Sequence, residues 1–316
     1  MKKAFFALLM AGATLMAAGQ AVLINYGDMN QWETRKIKES KILGGETKYV
    51  FEIAPTKTVE GNNPYYPQGG SPWATSNVYA KKMGVVKASN AVFPEKRGNG
   101  YCAKLTTMME HAKALGLFNI DVLVNGSIFL GKMIEPVSDT KNPYSKMEMG
   151  IPFTKRPKYL QFDYKVTVPA GSMVYCPGFG SKKTLSGKDY AEVFVLLQRR
   201  WENPDGSLHA ARVGTGRERF GSTVASWQNG HRLEIKYGDI TGQPGYQSYM
   251  GLISTKDRAY YARNSKGKLV PVIEEQWDEP NATPTHVLLM ASSGCGTAYT
   301  GVVGMVLWVD NFAFVY

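Results

Sequence analysis

Residues 159–168 alternate strictly. Leu160, Phe162, Tyr164, Val166 and Val168 fall on one face, and Gln161, Asp163, Lys165 and Thr167 on the other. A period of two is that of a half-buried β-strand. Residues 232–237 repeat it, with Leu233, Ile235 and Tyr237 opposed by Glu234 and Lys236. Residues 193–197 are apolar at every position, which predicts a central strand covered on both faces. Residues 101–108, 121–130, 286–290 and 305–316 supply further strand patterns, each bounded by Gly, Asn or Pro. Only residues 108–117 have a helical look. Many strands without alternating helices predict an all-β fold, a jelly-roll β-sandwich. Two stretches, residues 54–73 and 178–188, are rich in Gly, Pro, Asn, Ser and Lys and are expected to be long loops, the kind that carries binding groups.

The first residues obey a different pattern. Lys2 and Lys3 precede an apolar run over residues 4–18, and Gly19 and Ala21 fit the small-residue positions of a signal-peptidase site. Residues 1–21 are therefore expected to be an export signal, an N-terminal membrane anchor being the alternative. The run is shorter than a bilayer span, and no later segment is long and apolar enough to be one. The remaining 295 residues, 22–316, are expected to form one domain, located in the periplasm, on the cell surface or outside the cell.

Composition narrows the chemistry. With 44% hydrophobic and 20% charged residues, the chain can bury a core and is not disordered. Three Cys and four His, with no C-x-x-C pair and no H-E-x-x-H, leave little for a zinc site. In an oxidising compartment Cys102 and Cys176 are the pair that could close, leaving Cys295 free; three buried thiols are the equal alternative. The net charge of +11 falls to +9 without the two signal lysines and is dispersed along the chain. No nucleic-acid-binding motif accompanies it. A basic exported surface instead favours acidic glycans.

Several short motifs stand in a telling order. They are Asn25-Tyr26-Gly27-Asp28-Met29-Asn30-Gln31-Trp32, Trp73-Ala74-Thr75-Ser76-Asn77, Gly98-Asn99-Gly100-Tyr101-Cys102, Gly150-Ile151-Pro152-Phe153-Thr154-Lys155-Arg156-Pro157, and the closing Leu307-Trp308-Val309-Asp310-Asn311-Phe312. Over nearly the whole mature chain this order resembles the putative carbohydrate metabolism domain of exported proteins from glycan-degrading gut bacteria. The resemblance implies a jelly roll related to galactose-binding-like carbohydrate modules. It also implies a structural Ca²⁺ site near the first and last strands, for which the matching positions are Asp28, Asn30 and Asp310. The opening departs from the usual Phe-Glu by having Met29-Asn30, which removes a bidentate carboxylate from the oxygen set Ca²⁺ prefers. Asp310 hydrogen-bonding backbone amides is the competing reading.

Sugar rings present apolar C–H faces rimmed by hydroxyls, so aromatic side chains beside polar ones make platforms for them. Loop aromatics include Tyr65, Tyr66, Trp73, Trp201, Trp227, Tyr246, Tyr249, Tyr260, Tyr261 and Trp277. Trp201 sits in Gln198-Arg199-Arg200-Trp201-Glu202-Asn203-Pro204-Asp205-Gly206, a strand end entering an Asp-Gly turn. Trp73, Trp201, Arg199, Glu202 and Asp205 are therefore the candidate ligand-binding residues. Hydrolysis needs two nearby carboxylates. Asp163, Glu192 and Glu234 could converge across a sheet face, whereas residues 274–279, with four acids, look like a solvated loop. Gly214-Thr215-Gly216-Arg217-Glu218-Arg219 lacks the Gly-Lys-Ser/Thr ending of a phosphate loop. Arg156 is expected to pair with Asp163 or a backbone carbonyl. The expectation is an exported glycan-binding protein without catalytic residues. A glycoside hydrolase or lyase using a carboxylate pair is the alternative, and a surface adhesion protein with a flat apolar patch the third reading.

Overall fold

A computed structural model describes residues 19–114, 118–138, 142–178, 180–295 and 297–316. Among these the chain is all-β, its helical content limited to three 3-10 turns, Lys41–Leu43, Pro143–Lys146 and Ser248–Met250. Among the described residues no helix is long and apolar enough to cross a membrane. The expected signal falls largely on residues 1–18, which lie outside the described residues. Ala21–Leu23 pairs antiparallel with the last strand, Ala21 against Val315.

Two large sheets dominate. The first has seven strands, with a central order Phe118–Asn125, Gly100–Ala114, Val306–Val315, Tyr159–Thr167 and Val224–Glu234. The second contains a closed ring. Going round it, Ser127–Met133 pairs with Met147–Met149, then come Tyr261–Arg263, Leu269–Trp277, Leu208–Phe220, Ala191–Glu202 and His286–Ser292, which pairs back onto Ser127–Met133. The jelly-roll expectation did not foresee this closure, which rests on short pairings such as the single bridge between Glu148 and Tyr261.

The ring explains why residues 193–197 are apolar throughout. Val193, Val195 and Leu197 point out of the ring and share one core with Leu160, Phe162, Val166, Leu307 and Val309 of the seven-stranded sheet. Phe194 and Leu196 point into the ring, where they pack with Phe129, Met149, Leu288 and Met290. Burying one such side chain contributes about 1.5–3 kcal/mol. Alternation in Tyr159–Thr167 falls as the sequence predicts, with Leu160, Phe162, Tyr164 and Val166 buried in the shared core.

Two local expectations are corrected, and one alternative left open is decided. Residues 108–114 are strand, not helix: Met108 to Ala114 pair residue by residue with Val124 back to Phe118, and these hairpin bonds override the local propensity. The remainder of that expected helix, residues 115–117, lies outside the described residues. The acid run at 274–279 is not a solvated loop, because Glu274 and Asp278 are buried and Leu269–Trp277 is a ring strand. Cys102 and Cys176 do not pair. Both are buried free thiols, donating to the carbonyls of Glu95 and Asp121 respectively.

Candidate functional site at the mouth of the ring

One end of the ring opens into a cleft of about 680 Å³. Its floor is ring interior: Glu192 from Ala191–Glu202, Arg217 and Arg219 from Leu208–Phe220, and Met290 and Ser292 from His286–Ser292. A second wall is the long hairpin, which contributes Glu110, His111, Val122 and Asn125. Tyr144, Tyr249 and Tyr260 come from the segments that close the ring. Mouths of β-barrels are habitual ligand sites, because side chains there converge without filling the space.

The polar centre is built by register. Glu192 stands opposite Arg219 and Phe194 opposite Arg217, so the two-residue period puts both arginines on the inner face beside one carboxylate. Arg217 donates from Nη2 and Nε to Glu192 at 2.8 and 3.1 Å, and from Nη1 to the Tyr249 carbonyl at 2.8 Å. Burial opposes the Arg217 charge, yet Glu192 holds its pKa above the usual value. Arg219 donates Nε to Glu192 at 2.7 Å and lies 4.2 Å over the Tyr249 ring. Tyr144 and Tyr260 meet edge to face at 6.1 Å, and burial pushes both hydroxyls up, so they remain neutral donors. Asp189 accepts the backbone N–H groups of Tyr190, Cys295 and Val302. Burial, with Glu192 and Asp189 nearby, pushes the Cys295 thiol up to about 12. A protonated thiol is a poor nucleophile.

The opposite end of the ring is plugged. Arg212 and Glu274 form an ion pair shielded from water, Gln198 donates to Glu274 at 2.6 Å, and Arg200 donates to Gln198 at 2.8 Å. Burial lowers Arg200 to about 10 and, aided by Arg200, His286 to about 4.

The residues singled out from sequence lie elsewhere. Trp73 is 0% exposed, its indole bound to the Asn25 carbonyl and its ring packed on Phe312; it is core, and no sugar can reach it. Arg199, Trp201 and Glu202 lie toward the far end of the same strand that carries Glu192, roughly 23–33 Å along it at strand rise, and Asp205 is in the turn that follows. There Arg199 clamps Asp278 at 2.6 and 2.9 Å. Trp201 stacks on His209. Glu202 accepts the Ser265 amide and hydroxyl, and Asp205 caps Ser207. These contacts tie loops together.

The calcium set is also engaged by protein donors. Asp310 accepts Arg97 Nη1 at 2.6 Å and the Asn311 amide at 2.8 Å, Asp28 accepts from Asn30, and Asn30 accepts the Tyr101 amide. With the Arg97 guanidinium bridging Asp310 and Asp163, the positive charge is already supplied, and these residues do not fit a Ca²⁺ ion. Among the described residues no group of three or more His, Cys, Asp and Glu is arranged to hold a metal. Asp163, Glu192 and Glu234 do not converge, since Glu192 belongs to the ring and the other two to the seven-stranded sheet. Arg156 donates to the carbonyls of Pro280 and Ala282 and lies over Tyr237.

In the sequence Arg217 and Arg219 stand out only as part of a stretch that lacks a phosphate-loop ending, and not as site residues. The signal was present in Arg217-Glu218-Arg219, where alternation on a strand places like charges on one face.

This chain belongs to the family described as putative carbohydrate metabolism domain, whose model matches residues 50–237. That stretch includes Glu192, Arg217 and Arg219 of the cleft. No curated protein matches the sequence. Among solved structures, the chain is similar to a putative glycoside hydrolase from Bacteroides thetaiotaomicron, at 17% identity and a TM-score of 0.47, covering 90% of this chain and 70% of that one. It is also similar to a putative glycoside hydrolase from Bacteroides vulgatus, at 15% identity and a TM-score of 0.43, covering 76% of this chain and 90% of that one. A carbohydrate-binding module specific for non-crystalline cellulose matches at 10% identity and a TM-score of 0.28, over 78% of this chain and 91% of that one.

Proposed function

We propose that this chain is an exported carbohydrate-binding protein whose glycan docks in the cleft at the mouth of the ring. The observation that carries this reading is the meeting of three tyrosines, Tyr144, Tyr249 and Tyr260, with an Arg–Glu–Arg cluster and the hydroxyls of Ser127, Ser248 and Ser292 in one concave space. Aromatic faces suit sugar C–H faces, and the polar groups suit the hydroxyl rim. Membership of a carbohydrate-metabolism family supports it. The leader-like residues 1–21 support action outside the cytoplasm, and two sheets packed over one core are what a jelly-roll module would use. Affinity gels and calorimetry against plant, host and microbial glycans test the reading. Retention on at least one glycan, weakened by Tyr249→Ala, is expected; no retention on any of them sinks it.

Hydrolysis is a second reading, favoured by the four carboxylates that line the cleft among the described residues, Glu110, Asp189, Glu192 and Asp257. Asp189 is held by three backbone N–H groups and Glu192 by two arginines, whereas Glu110 accepts one amide, from Asn90, with Lys87 3.7 Å away, so Glu110 and Asp257 would have to be the working pair. Release of reducing sugars, abolished by Glu110→Gln, would favour hydrolysis over plain binding.

A further inference from the structure

We propose that the cleft holds an oxyanion subsite centred on Arg219, so that the glycan it takes carries carboxylate or sulfate groups; this rests on the carbohydrate-binding reading of the same cleft. Glu192 faces two guanidinium groups that are used differently. Arg217 has all three of its nitrogens engaged, two on Glu192 and one on the Tyr249 carbonyl. Arg219 commits only Nε, and among the described residues none accepts a hydrogen bond from its Nη1 or Nη2. Its side chain keeps 19% exposure. Stacking at 4.2 Å on Tyr249 fixes the plane of the guanidinium. A guanidinium anchored at Nε and held flat presents a two-pronged edge, which matches two oxygens of one oxyanion.

The surrounding charge points the same way. Among the described residues six Lys and Arg line the cleft against four Asp and Glu, Lys87 being also paired with the buried Glu39 at 3.0 Å. Lys188 reaches alongside Gly221, two residues beyond Arg219, and Arg258 lines the same space from the loop that carries Tyr249. The acids are turned to other partners. Asp189 is wrapped by backbone N–H groups, Glu192 by both arginines, and Glu110 by Lys87 and the Asn90 amide, while Asp257 sits in the exposed loop beside Arg258. A concave surface with surplus positive charge concentrates anionic ligands.

Calorimetry with the whole protein separates the outcomes. Three polymers serve as probes: a polyuronate, the same polymer after reduction of its carboxyl groups to neutral sugars, and a sulfated glycan. The polyuronate or the sulfated glycan is expected to bind about tenfold or more tighter than the reduced polymer, as charge-assisted pairs allow, and to weaken with added salt. Arg219→Gln is expected to erase that preference while leaving the melting temperature close to that of the parent; Arg258→Gln serves if Arg219→Gln fails to fold. Preference for the polyuronate alone assigns a carboxylate subsite, and for the sulfated glycan alone a sulfate subsite. Equal binding of the reduced polymer, unchanged by both arginine variants, overturns the subsite but leaves glycan binding standing. No binding of any probe, with no retention in the glycan panel, overturns both.

Discussion

Arg212 and Glu274 pair inside the ring with neither side chain reaching water. Burial pushes the Glu274 carboxyl up, but Arg212, the Ile253 amide and Gln198 together hold it below the usual range. Taking away one partner strands a buried charge, so Glu274→Gln or Arg212→Met alone should cost about 3–5 kcal/mol in urea unfolding. The double replacement Arg212→Met with Glu274→Leu should recover most of that loss. Additive losses in the double variant would contradict the pairing.

Glu52 titrates far from its ordinary range. Burial raises it to about 8, with Arg35 opposing and Glu135 adding to the rise. The folded state then binds a proton more readily than the unfolded state between pH 4.5 and 8. Stability from this group is present below the lower value and is lost as pH rises through the upper one, a change on the order of a few kcal/mol. Unfolding midpoints measured across that window should fall in the parent and flatten in Glu52→Gln. Identical slopes in the two proteins would rule the group out.

Tyr249 and Trp201 make a matched contrast. Tyr249 lines the cleft, whereas Trp201 stacks on His209 at the remote end of the ring. Tyr249→Ala should weaken glycan binding by about three- to tenfold, as expected for the loss of one stacking face. Trp201→Ala should lower the melting temperature and leave affinity alone. The reverse pattern would move the site to the Trp201 end.

The three thiols should be silent in the native protein. Cys102 and Cys176 are buried, and burial raises Cys102 to about 12, as it does Cys295. A chromogenic disulfide reagent at neutral pH should react slowly with folded protein and titrate three thiols on denaturation. A single thiol after denaturation would show that a pair had closed.

Much of the architecture could be read from period alone. Tyr159–Thr167 alternates because one face is apolar core and the other carries polar groups, from buried Asp163 to exposed Thr167, and such a strand declares itself. The ring did not declare itself, because a strand buried on both faces, such as Ala191–Glu202, loses its period. Glu274 misled for a related reason. In sequence it sits among three other acids, and only the approach of Arg212, sixty-two residues earlier, makes its burial tolerable. Trp73 looked like a platform because it follows a Pro- and Gly-rich loop, yet it opens a strand that pairs with Ser127–Met133 and sinks into the core. The cleft residues come from distant segments, so only their two-residue spacing on strands was visible beforehand.

A hoop has no free margin. Because the Ser127–Met133 and His286–Ser292 strands close it, the girth of the mouth is set by the number of staves and by the bolt of Arg212 and Glu274 below. The strand-borne wall of such an opening has its width set by strand number, while Tyr249 and Arg258 reach the rim on a loop outside that count.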